Sequence, residues 1–174
     1  MDYMYFCTPK IMSMKKLFFI STICVALLFG SCASEFNAVY KSTDSNYRYE
    51  YAKECFFKGK YTRAITLLND LIVVQKGTEN AQESLYMLAM AQYKSGDYES
   101  AAQAFKRYIQ SYPKGKYAEL ASYYVGESLY MCTPEPRLDQ SQTVSAIASF
   151  QEFLDLFPDA KLKNSAQNRL FELQ

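Results

Sequence analysis

Glu152 and Asp155 stand three apart in a helical pattern, which would bring two carboxylates together as acid–base hydrolysis requires. Nothing in the chain supports them. The 174 residues include no His, so there is no imidazole base, no Cys–His or Ser–His pair and no usual zinc ligand set. Carboxylates at that spacing more often mark a solvated helix face. The chain therefore reads as a non-enzyme, and no residue set calls for a metal or cofactor. The aromatics are more informative. Tyr49, Tyr86 and Tyr123 recur at intervals of 37, and so do Phe56, Tyr93 and Tyr130. The two members of each pair are seven apart, so they share one helical face, which Lys53, Met90 and Glu127 should also share. Tyrosine offers a large, rigid contact surface and a hydroxyl at low entropic cost, which suits a binding surface. The alternative is packing between repeats. For Phe56, Tyr93 and Tyr130 both readings stand; for Tyr49, Tyr86 and Tyr123 binding is preferred.

Elements that could hold such a ladder follow from self-comparison. Cys55–Ala64 aligns with Gln92–Ala101, matching Gly59 to Gly96, Tyr61 to Tyr98 and Ala64 to Ala101 at a spacing of 37. A third copy is split. Leu120–Met131 keeps the offset of 37, and Ala146–Pro158 follows at 45, so eight extra residues fall between its helices. Pro134, Pro136 and Asp139 make that stretch a loop, which ends in Arg137-Leu-Asp-Gln140. First helices are expected at 45–58, 79–95 and 116–131, and second helices at 61–75, 98–111 and 142–156. A further helix is expected at 161–174. Gly59 and Gly96 belong to turns, Asp97 and Thr78 to N-caps, and Pro113 and Pro158 to helix ends. Small residues recur at Ala52, Ala89 and Gly126 in the first helices, and at Ala64, Ala101 and Ala146 in the second. They would let paired helices approach closely, with Leu68, Phe105 and Phe150 filling the adjoining space.

The turn Gly, the Tyr two residues on, the Ala three later, the aromatic four later and the closing Pro resemble the tetratricopeptide repeat. Gly96, Tyr98, Ala101, Phe105 and Pro113 carry the complete set. The first repeat has Lys76 in place of the Pro, and the third lacks the turn Gly and Tyr. The implied fold is all-α: a superhelical solenoid of three repeats plus a further C-terminal helix. In that family the first-helix positions line a concave groove that holds extended peptides. The resemblance thus assigns Tyr49, Phe56, Tyr86, Tyr93, Tyr123 and Tyr130 to a peptide-binding groove.

The N-terminus reads as an address. Lys15-Lys16 precedes the apolar run 17–29, which as a helix would span about 20 Å, short of the roughly 30 Å hydrocarbon core. That is the pattern of a secretory signal peptide. Met14 directly before the lysines marks the expected start, leaving 1–13 as an upstream extension and 14–31 as signal peptide. Gly30-Ser31 before Cys32 resembles a bacterial lipobox, with Phe29 where Leu is usual. The resemblance implies that Cys32 is acylated and leads the mature chain, anchored by its acyl chains. Residues 32–44 read as a tether and 45–174 as the repeat domain. Of the five Cys, only Cys55 and Cys132 then remain in the folded part, too few for a disulfide framework. Loss of residues 1–31 removes three basic and one acidic side chain, turning the net charge of +1 into −1. Such a balance speaks against nucleic acid as a partner.

Two segments narrow the resemblance. Tyr112-Pro-Lys-Gly-Lys-Tyr-Ala and Phe157-Pro-Asp-Ala-Lys-Leu-Lys share an aromatic-Pro, two residues and Lys, followed by Ala five later. With the Arg137–Gln140 insertion and Cys32, they resemble the lipoprotein family of the outer-membrane β-barrel assembly machinery, over residues 14–174. The resemblance implies a scaffold anchored at the periplasmic face of the outer membrane. Its partners would be unfolded outer-membrane proteins and the barrel-forming assembly subunit. Another periplasmic tetratricopeptide adaptor, such as a Tol–Pal coordinator, is the alternative. That family has more repeats than appear here, so the chain reads as C-terminally truncated, and docking of the barrel-forming subunit is in doubt.

Overall fold

Asp44 opens the repeat domain, its carboxylate accepting from the amides of Asn46 (2.9 Å) and Tyr47 (3.1 Å). Helix α1 then runs Ser45–Phe57, and Gly59, at φ 72°, turns the chain into α2, Tyr61–Val74. The second repeat follows the same plan: α3 (Glu79–Lys94), Gly96 at φ 86°, a cap by Asp97 on the Ser100 amide, and α4 (Tyr98–Ser111). Helix α5 (Ala118–Met131) is joined to α6 (Ser141–Leu156) by the longer loop, and α7 (Lys163–Leu173) follows. The computed structural model describes residues 35–135 and 137–174. The expected upstream extension, the signal peptide and Cys32 lie outside the described residues.

The helix bounds agree with the periodicity to within about two residues, as is usual for helix ends. Both prolines act as expected. Tyr112 and Phe157 leave the helical region at φ −137° and −131°, as a residue before proline is disfavoured there. One local expectation needs correction, and two features go beyond the repeat pattern. Thr78 occupies the N-cap of α3, but its hydroxyl donates to the Gln75 carbonyl at 2.8 Å and leaves the cap unmade. Gly77, at φ 89°, supplies a third left-handed turn that the repeat alignment did not mark. Residues 35–40 are helical where an irregular tether is expected, and Phe36 and Tyr40 stack one turn apart at 6.2 Å.

Within residues 42–174 each helix packs chiefly on its neighbours in sequence, with lighter contact between successive first helices. That is the quasi-one-dimensional packing of a repeat solenoid. The small-residue positions lie at the crossings. Ala52, Ala89, Ala64, Ala101 and Ala146 are fully buried. A Cβ on Gly126 would stand 2.8 Å from the Phe150 ring, so this crossing requires glycine. Cys55 and Cys132 are free thiols that burial pushes to higher pKa, which makes them poor nucleophiles.

Candidate functional site

The first helices place the aromatic ladder in two rows that differ in depth. Tyr49, Tyr86 and Tyr123 form the inner row. Tyr49 is 3% exposed and Tyr123 is 8% exposed, although both are expected to line an open groove. Tyr86 is half-buried and held on three sides: it stacks on Tyr117 at 4.3 Å and meets Phe105 and Tyr108 edge-on at 6.0 and 5.9 Å. The Tyr108 hydroxyl accepts from the Tyr117 amide at 3.1 Å, which fixes the loop that delivers Tyr117. A Cβ on Gly115 would fall 2.6 Å from that hydroxyl, so the loop needs a glycine there. Tyr123 packs against Tyr124, Phe150 and Phe153 at 5.4–5.9 Å.

Burial sets the ionisation of this row. It pushes the Tyr123 hydroxyl up to about 12, helped by the Glu127 carboxylate, to which that hydroxyl donates at 3.2 Å. Tyr86 is raised by burial and by its tyrosine neighbours. Tyr49 is raised by burial first and by Glu83 second. The inner row consists of neutral core phenols.

Phe56, Tyr93 and Tyr130 form the outer row, and all three are partly exposed, as Tyr86 is, whereas Tyr49 and Tyr123 are buried. Phe56 leans edge-on against Tyr61 at 5.9 Å, and Tyr93 leans against Tyr98 at 5.4 Å. Tyr61 and Tyr98 are repeat equivalents, so Phe56 and Tyr93 are each braced by the first residue of their own second helix. Tyr124 braces Tyr93 from the next repeat at 5.2 Å. The third repeat lacks the turn tyrosine, and α7 supplies the brace instead: the Arg169 guanidinium lies 4.2 Å from the Tyr130 ring centroid.

Arg169 organises this end of the ladder. It forms a bidentate pair with Glu127 at 3.0 and 2.8 Å and reaches Glu172 at 2.9 Å. Glu172 also accepts from the Tyr130 hydroxyl at 2.8 Å, and these two bonds hold its carboxyl below the usual range. Glu127 is 6% exposed and committed to Arg169, so it is not displayed on the ladder face as expected. Lys53 and Met90 are half-buried there; the Lys53 ammonium lies 4.6 Å from the Tyr49 ring and pairs with Glu50 at 2.7 Å. Glu152 and Asp155 are both exposed on α6.

Sequence reasoning missed Tyr117, Tyr124 and Arg169. A signal for Arg169 existed: with the offset of 45 it matches Tyr124, one residue beyond the tracked ladder position. Tyr117 sits just before α5, where first-helix periodicity does not reach.

Comparison with known proteins adds a relationship to this geometry. A family model described as outer membrane lipoprotein (YfiO) matches residues 41–174. A protein of Aquifex aeolicus (strain VF5), provisionally named outer membrane protein assembly factor BamD, is 28% identical over 134 residues. The match covers 69% of this chain and 40% of that relative, so the chain spans less than half the relative's length.

Proposed function

We propose, from the premise that this chain belongs to the YfiO outer-membrane lipoprotein family, that it is a lipid-anchored scaffold for outer-membrane protein assembly. It would hold extended, aromatic-containing segments of unfolded barrel proteins on the first-helix face, at the periplasmic side of the outer membrane. The family match and the relative's name support this over a Tol–Pal coordinator role. The observation that carries the binding part is the outer row: Phe56, Tyr93 and Tyr130 stand in register, partly exposed and braced by Tyr61, Tyr98 and Arg169. A braced ring presents apolar area with little rotamer entropy left to lose on binding. The inner row supports the outer row mechanically and does not touch the client.

The anchor would be acyl chains on Cys32, several being needed because each CH₂ contributes only about 0.8 kcal/mol. Cys32→Ser should release the protein from membranes, and persistent membrane association would argue for another tether. For the binding face, a photo-crosslinking phenylalanine analogue can replace Tyr93 in the full-length protein. Adducts with unfolded barrel proteins are expected from position 93 and not from the exposed position 107 on α4. Equal adducts at both positions, or none at 93, would refute the assignment.

A further inference from the structure

The second-helix side of the array carries a cleft that the ladder does not use. It has a volume of about 490 Å³, within the range of about 300–1,000 Å³ typical of ligand sites. Three helices build it. Lys106 and Ile109 come from one face of α4 and Pro113 from the turn after it, Ser122 and Val125 from α5 form the floor, and Glu152 and Leu156 come from α6. Helices α4 and α6 are the second helices of successive repeats, so the cleft is a trough between two neighbouring helices with a third beneath.

Repeat register shows that a trough recurs along the array and that its lining changes from one junction to the next. One repeat earlier, the floor positions of Ser122 and Val125 are Leu85 and Leu88, both buried. The equivalent junction holds a cleft of about 400 Å³ lined by Leu85 and a second of about 320 Å³ lined by Leu88, and Arg107 lines both. The walls change as well. Lys76 becomes Pro113, Ser111 becomes Leu156 and Arg107 becomes Glu152. The walls of the second junction are therefore more apolar and no longer doubly basic. Leu156 is 57% exposed at its edge, a large apolar side chain with no cover among the described residues. Lys106 and Glu152 stand exposed on opposite walls, and neither makes an ion pair among the described residues.

We infer that this trough is a docking site for an amphipathic helix of a partner protein, distinct from the client-binding face. Two features select that occupant. A trough between two helices matches the ridge of a third helix, whose anchors at i and i+4 would enter over Ser122 and Val125. The opposed lips, cationic on α4 and anionic on α6, complement a helix with an acidic side toward Lys106 and a basic side toward Glu152. A lipid chain would gain nothing from the Glu152 wall.

The test fills the trough with residues the array already accommodates at these positions. Ser122→Leu with Val125→Leu copies the floor of the preceding repeat, so the helical circular dichroism signal and thermal midpoint should hold. The probe is a stapled amphipathic helix with two Leu anchors one turn apart, Glu on one flank and Arg on the other. A charge-reversed copy is the control. The full chain should bind the probe at least tenfold more tightly than either the filled variant or the control peptide binds. Lys106→Glu with Glu152→Lys should reverse the preference between the two peptides. Binding that ignores both the filling and the charge reversal, or a folded wild-type chain that binds neither peptide, would overturn the inference. Binding of an aromatic-ended peptide to the first-helix face should be unchanged in the filled variant, so the two sites report separately.

Discussion

The inner and outer rows of the ladder share a repeat, a face and a chemistry, yet they have different fates. Tyr49, Tyr86 and Tyr123 lie toward the N-terminal ends of the first helices. There Tyr117, Phe105 and Tyr108 enclose Tyr86, and Tyr124, Phe150 and Phe153 enclose Tyr123, while Tyr49 is buried. Phe56, Tyr93 and Tyr130 lie seven residues on, where Tyr61, Tyr98 with Tyr124, and Arg169 brace them and leave each partly exposed. Spacing therefore fixes which residues share a face, while depth along that face depends on what the next repeat contributes.

The comparison can be broken at its core. Tyr86→Ala or Tyr123→Ala should destabilise the array by about 3–5 kcal/mol, as large aromatic truncations do. Chemical denaturation would measure this, and a loss below about 1 kcal/mol would mean the inner row is not core. Next comes the third-repeat clamp. Arg169→Ala leaves Glu127 buried and unpaired, at a cost of about 1–3 kcal/mol given the partly exposed guanidinium. Adding Glu127→Gln should recover most of that loss, and a double-mutant cycle showing no coupling would contradict the clamp. A smaller effect concerns pH. Tyr123 ionises near 10 in the unfolded chain and is pushed up to about 12 in the folded one. Its contribution is then complete below pH 10 and lost as pH rises from about 10 to about 12. Thermal midpoints across that range should fall less steeply for Tyr123→Phe than for the parent chain, and equal slopes would argue against burial of this hydroxyl.

Much of the fold was legible because helices announce themselves by period. The 37-residue recurrence, the glycines at 59 and 96 and the prolines at 113 and 158 set the helix order and nearly all the bounds. The crossing at Gly126 was legible too, since only a missing Cβ admits the Phe150 ring. Thr78 was not, because a hydroxyl can donate backward to Gln75 as readily as accept forward. Nor was the depth of the ladder. Tyr117 precedes α5 and is placed by a hydrogen bond that its amide donates to the Tyr108 hydroxyl, which no helical period encodes. The Glu127–Arg169 pair links residues 42 apart, a distance set by the insertion as much as by the repeat.

The central claim is that the outer row binds and the inner row supports. Its most direct test is the affinity of the full chain for an aromatic-ended barrel-strand peptide after Phe56→Ala with Tyr93→Ala, alongside its thermal midpoint. The account predicts at least a tenfold weaker affinity, about 1.4 kcal/mol, with helical content intact and stability changed far less than by the inner-row truncations. Unchanged affinity in a folded double variant would contradict it.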